Sequence, residues 1–293
     1  MTHMPLNPTV VSFFEHATAT WSYVVYAKEH AHRRCAIIDP VLDFDLSSGR
    51  TATHSCDRLI EFVRTHDLKL EWILETHIHA DHLTGAAYLK EKLGGKTGIS
   101  RHILDVLKTW EPIFHNEAST PRDGSQFDHL FEDDEVFTIG DLSARIIHTP
   151  GHTPADTSYI IGGALFVGDA MFLPDVGTGR CDFPGGSAKD SFASCAKLLS
   201  LPEDTRMYVG HDYPPEGKRP PMCMTTVGAQ RHANVRVHGG ITRDAFVAKR
   251  EADDKGKAVP HLLLPSIQVN LRAGRLGVDG EDPFLKIPLN KLS

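Results

Sequence analysis

The segment Thr76-His77-Ile78-His79-Ala80-Asp81-His82 constrains this chain more than any other. Its three imidazoles and one carboxylate directly follow the apolar run 70–75, which reads as a β-strand. A loop at that strand's end presents the four groups together, and His77 and His79 share a direction if extended geometry continues. Imidazole nitrogens and carboxylate oxygens are the ligands that zinc, iron and manganese use. Crowded together without a cation, the same groups repel when protonated or lose solvation when buried. The competing reading is a polar loop with chance histidines, but chance rarely sets four potential ligands so close.

Three more strand ends have the same character. His148-Thr149-Pro150-Gly151-His152 follows the run 144–147, and Gly168-Asp169 ends the run 164–167. Gly210-His211-Asp212 ends the run 206–209. Each alone is an ordinary turn or polar edge. Together they deliver potential ligands to the loops at one edge of a sheet assembly, where sites are built.

Strands are expected at 10–14, 22–27, 35–39, 70–75, 136–139, 144–147, 159–161, 164–167 and 206–209. Helical spacing marks 57–66, 81–93 (closed by Gly94-Gly95) and 188–199. The charged stretch 244–254 also reads as a helix, and 249–257 as a solvated helix and loop. Residues 262–264 and 267–269 look extended. The texture changes after Asp212, so 1–212 reads as a complete α/β unit and 213–293 as an appendage packed on it.

The net charge of −7 argues against a protein whose main task is coating nucleic acid or anionic membrane, where a basic surface supplies the binding energy. No apolar run approaches the roughly 20 residues of a membrane span, and the first ten residues lack the pattern of a secretory signal. Cys35, Cys56, Cys181, Cys195 and Cys223 are odd in number, scattered and without a CxxC pair. Buried free thiols in a reducing cytoplasm are therefore expected, with Cys181 structural.

The series T-H-x-H-x-D-H, G-H-T-P, G-D and G-H-D resembles the metallo-β-lactamase superfamily, which implies an αββα sandwich with a metal site at one edge. Asp39, closing Ile37-Ile38-Asp39, is similar to the acidic residue usual in that family. The segment Gly177-Thr-Gly-Arg180-Cys181-Asp182-Phe183 resembles the G-x-G-R-x-D-F of persulfide (sulfur) dioxygenases. The tail 264–270 and 286–290 resembles bacterial members of that group.

The resemblance implies one non-haem Fe(II) per chain on His77, His152 and Asp169, a face with open positions. His79, Asp81, His82 and His211 would orient ligands and waters, or hold a second metal as in the superfamily's dinuclear hydrolases. The implied reaction oxidises glutathione persulfide with dioxygen to sulfite and glutathione. Arg180 is then a catalytic or substrate-positioning residue, or else a loop-anchoring ion pair. Tyr213 is a candidate for a substrate hydrogen bond. Lys218, Arg219, Arg231 and Arg272 are candidates for the glutathione carboxylates, each with a solvated-surface alternative.

The alternative activity is a glyoxalase II-like thioester hydrolase with zinc or a dinuclear site. The extended reading of 255–293, against the helical glutathione-binding domain of glyoxalase II, favours the dioxygenase. A non-catalytic metal module is the third reading. A homodimer is expected, with no nucleic-acid or membrane partner.

Overall fold

Buried aliphatic and aromatic runs pair into two six-stranded sheets. The computed structural model describes residues 7–28, 33–115, 120–214, 219–277 and 283–291. The first sheet runs β1 (Thr9–Glu15), β2 (Thr20–Tyr26), β3 (Arg34–Ile38), β6 (Lys69–Leu74), β8 (Lys96–Ser100), β9 (His129–Phe131). Its inner strands β3, β6 and β8 are parallel, and β3 is buried from Cys35 to Ile38 because both of its faces are covered.

The second sheet runs β10 (Val136–Ile139), β11 (Leu142–His148), β12 (Thr157–Ile161), β13 (Ala164–Phe166), β14 (Arg206–Tyr208), β15 (Met224–Thr226). A small third sheet joins β4 (Val41–Asp45), β5 (Arg50–Ala52) and β7 (Leu83–Thr84).

Tyr23, Ile38 and Leu74 from the first sheet meet Ile146, Tyr159 and Phe166 from the second, forming the core between them. Helices α1 (His54–Thr65) and α2 (Ala86–Leu93) set Cys56, Leu59, Val63 and Leu89 on the outer face of the first sheet. Helices α4 (Ala188–Leu199), α5 (Val227–Ala233) and α6 (Arg243–Asp254) set Leu198, Val227 and Phe246 on the outer face of the second. The result is the expected αββα layering. Segments after Asp212 share in it: β15 is an edge strand of the second sheet, and α6 packs on α4. No helix among the described residues is long and apolar enough to cross a membrane.

Two local expectations are corrected. The helix expected over 81–93 begins only at Ala86. The Asn270 side chain donates to the carbonyls of His79 and His82 and accepts from Thr84 N, holding 79–84 as loop and short strand. The stretches expected to be extended, 262–264 and 267–269, instead fall largely within helix α7 (Leu263–Asn270), which packs with α3 (Ile103–Phe114). Pro265 stands in its first turn, where the missing N–H costs nothing. The helix is buried almost all round, so no polar stripe marks its period. The contrast with glyoxalase II drawn from a non-helical C-terminal region therefore does not hold.

Candidate metal centre

Four strand-end loops converge on one edge of the sandwich, as the sequence series suggested. His77, His152 and Asp169 form one cluster, and His79, Asp81, His82 and His211 another. Within each, one ligand atom per residue lies within 4.8 Å of the others. The His77 and His79 rings are 4.1 Å apart and those of His79 and His82 4.2 Å apart.

The hydrogen-bond inventory fixes which ring atoms remain available. The Thr76 hydroxyl donates to Asp39 Oδ2 at 2.8 Å, so at 3.0 Å it accepts from His77 Nδ1, leaving His77 Nε2 without a proton. His152 Nδ1 sits 2.7 Å from the Arg180 carbonyl, which can only accept, so His152 Nε2 is likewise free to ligate. On the other side, the Thr18 hydroxyl donates to Glu15, so the Thr20 hydroxyl donates to Thr18. Thr20 Oγ1 is then an acceptor for His211 Nδ1 at 3.3 Å, with His82 Nδ1 at 3.4 Å. This Glu15–Thr18–Thr20 relay was not read from the sequence. Only its strand pairing, which sets Thr20 opposite His211, brings it to the site.

The inward atoms are orphans. His77 Nε2, His79 Nδ1, His82 Nε2, His211 Nε2 and Asp169 Oδ1 are buried without a hydrogen-bond partner. Unpaired buried polar atoms are costly, and ligation of a metal by such atoms removes the cost. The donor set of imidazoles and carboxylates therefore fits a metal.

Electrostatics follow the same division. Burial, reinforced by the neighbouring imidazoles of His79 and His152, holds His77 well below the usual histidine range and so neutral. Burial also works against charge on His79, but Asp39 at 3.1 Å and Glu75 at 3.4 Å from its Nε2 outweigh it and raise it well above that range. Burial opposes charge on Asp81 as well, and His211 and His82 overcome it to hold the carboxyl low. Asp39 thus stands behind the cluster, accepting also from Thr76 N at 2.7 Å.

Two clefts open on this centre and share Asp81, Tyr213 and Pro260. One, of about 360 Å³, reaches His152 and Asp169 past Phe172 and Phe183 and carries Arg180, Arg236 and Lys257 on its walls. The other, of about 920 Å³, reaches His82 along the β4–β5 hairpin and His261. Tyr213 is half-exposed between them and stacks on the His211 ring at 5.7 Å.

Arg180 lines the smaller cleft with its side chain fully engaged. It pairs bidentately with Asp182 at 2.6 Å, donates to the Ala258 carbonyl at 2.8 Å, and lies over the Phe183 ring. Arg219 is committed to Asp175 and Asp212, and Arg231 to the Leu199 and Leu201 carbonyls and Glu203. Arg272 is buried away from both clefts, and Lys218 lies outside the described residues.

Arg236, Arg250 and Lys257, which the sequence reading did not single out, line the smaller cleft instead. The solvated reading of 249–257 is corrected at its centre. Arg250 and Asp254 are both buried, and their i,i+4 spacing was the signal that could have found the pair. The free thiols are Cys35, Cys56, Cys181, Cys195 and Cys223, and burial pushes Cys181 up to about 12.

The metallo-beta-lactamase superfamily model matches residues 17–211, and the chain belongs to that superfamily. It is 50% identical to glyoxylase B2 of Dictyostelium discoideum over 89% of this chain and 90% of that one. It is 28% identical to the human mitochondrial persulfide dioxygenase ETHE1, over 68% of this chain and 66% of that one. Among solved structures, ETHE1 from Myxococcus xanthus superposes with a TM-score of 0.72 at 26% identity, covering 91% of this chain and 100% of that one.

Proposed function

We propose that this protein oxidises a low-molecular-weight persulfide, glutathione persulfide in the first instance, with dioxygen at one ferrous ion held by His77, His152 and Asp169. One observation carries the reading. His77, His152 and Asp169 cluster with His77 Nε2 and Asp169 Oδ1 orphaned, and His152 and Asp169 line a cleft walled by Arg180, Arg236 and Lys257. A ferrous ion on such a face supplies the redox chemistry between dioxygen and sulfur. The likeness to the ETHE1 chains supports the same reading.

This chain's own residues bind, orient and exclude water. Thr76 and the Arg180 carbonyl hold His77 and His152 in the tautomers that face the centre. With Arg180 held by Asp182, Arg236 and Lys257, which pair with Asp253 and Asp254 on the cleft wall, would receive the tripeptide carboxylates, and Phe172 and Phe183 would cover the sulfur. Overall, glutathione persulfide, dioxygen and water give glutathione, sulfite and two protons. The free thiols support a reducing, cytoplasmic setting.

The test is oxygen uptake by the Fe(II)-loaded protein given glutathione persulfide, with sulfite measured alongside. Matched uptake and sulfite, abolished in His77→Ala and Asp169→Ala, is the expected result. No uptake by protein that retains iron overturns the proposal.

The second cluster favours one other reading. Asp81, His82 and His211, with Asp169 Oδ1 3.5 Å from His211 Nε2, can hold a second metal and so support hydrolysis of a glutathione thioester. Two metals per chain together with thioester turnover by the zinc-loaded protein would establish it.

A further inference from the structure

We propose that the buried pair Arg250–Asp254 of α6 is a positioning device for His152, acting through the backbone of residues 178–181. The inference rests on the reading that His152 ligates a metal through Nε2. It adds two residues, from a helix outside the four strand-end loops, to what sets that ligand's geometry.

The chain of contacts is continuous. Arg250 is 2% exposed, yet it carries a full charge into the interior between α6 and the centre. Its Nε donates to Asp254 Oδ2 at 2.8 Å, and its Nη2 pairs with Asp254 Oδ1. The outer edge of the same guanidinium donates from Nη1 to the Thr178 carbonyl at 3.2 Å and the Gly179 carbonyl at 3.4 Å. Asp254 Oδ2 also accepts from Cys181 N at 2.8 Å, while Lys257 Nζ reaches Oδ1 at 3.0 Å. Residues 178, 179 and 181 are thus all held by one ion pair.

Between them stands Arg180, whose carbonyl accepts from His152 Nδ1 at 2.7 Å. The loop has no slack against the ligands. Gly179 N donates to the Asp169 carbonyl at 3.1 Å, and a Cβ at Gly179 would lie 2.2 Å from that oxygen. Displacing the loop therefore displaces the group that fixes both the tautomer and the ring orientation of His152.

A buried ion pair is poor value as a source of stability alone, because desolvation offsets its attraction. A planar five-donor fork that binds a carboxylate on one edge and two carbonyls on another is suited to holding a backbone in place. Lysine keeps the charge and lacks that fork, which makes Arg250→Lys the informative change.

The experiment measures Co(II) binding to the full chain by visible absorption and by competition with a chelator. It compares wild type, Arg250→Lys, the charge-neutral double variant Arg250→Gln/Asp254→Asn, Phe246→Ala and His152→Ala. Phe246 is on the same helix but packs into the outer core, so it reports helix stability alone. We expect Arg250→Lys and the double variant to bind Co(II) about 10–100-fold more weakly with an altered spectrum. Phe246→Ala, though less stable, should keep wild-type affinity and spectrum. Wild-type affinity and spectrum in the folded double variant, with His152→Ala defective, would overturn the positioning role while sparing the ligand assignment. Unchanged binding in His152→Ala would remove the premise and the proposal with it.

Discussion

Substituting Gly179 tests how tightly the loop is seated on the metal centre. The glycine lies between the Asp169 carbonyl and the His152 ring, and an alanine Cβ there would stand 2.2 Å from Asp169 O and 3.4 Å from His152 Nδ1. The nearer atom is backbone, so no flexible side chain can swing aside. Relief requires a shift of about 1 Å, which also breaks the 3.1 Å bond from Gly179 N to Asp169 O. Overpacking of this kind costs about 1–3 kcal/mol, to which a lost backbone hydrogen bond adds about 0.5–1.5 kcal/mol. At roughly 2 °C per kcal/mol for a chain of this size, Gly179→Ala should melt about 3–9 °C below wild type.

The functional loss should be larger in proportion. A misplacement of about 1 Å at a reacting centre costs on the order of 100-fold in rate, and the proposed ligands His152 and Asp169 sit on either side of the intruding methyl. Gly228→Ala is the matched control. Gly228 is on α5, away from the clefts, and its Cβ would lie 3.2 Å from Glu203 O, so the variant's metal content and activity should be unchanged. Differential scanning calorimetry, metal analysis and turnover on both variants make the comparison. If Gly179→Ala melts and turns over like wild type, the loop is not seated against the ligands and the geometric argument is wrong.

Metal should act as a stabilising ligand: at about 100 times its dissociation constant it adds about 2.7 kcal/mol, so a chelator should lower the melting temperature by roughly 5 °C. A melting curve indifferent to chelation would argue against a metal in the cluster of orphaned atoms. Burial keeps His77 neutral near neutral pH, whereas burial at His211 is outweighed by Asp81 and Asp169, which raise it and favour its protonated form. Binding of a metal to His211 must therefore displace a proton, and its affinity should fall about tenfold per pH unit below the raised value. Titrations across neutral pH should show that slope for a second metal and a shallower one for a metal on His77, and equal slopes would count against the assignment. Truncating fully buried Phe246 to alanine should cost about 3–5 kcal/mol, read from urea unfolding, and a cost under about 1 kcal/mol would show that α6 is not part of the outer core.

Chemistry that falls within a few consecutive residues could be read directly. His77, His79, Asp81 and His82 are neighbours in sequence, and an apolar strand fixes where their loop emerges, so no knowledge of distant contacts was needed. His152, Asp169 and His211 were legible for the same reason, each being the polar end of a run whose burial is obvious. Three groups of contacts were decided only by the tertiary structure. The Glu15–Thr18–Thr20 relay reaches His211 across 191 residues. Asn270 turns 79–84 away from helix, because its bonds to His79 O, His82 O and Thr84 N outcompete a local preference. Arg250 and Asp254 looked like surface charge, since composition counts charges while burial depends on what packs over them. The sequence determined which groups could meet a metal, because side-chain chemistry is local. Which shell holds them, and how tightly, belongs to contacts between residues far apart in the chain, and these exist only once the layers are packed.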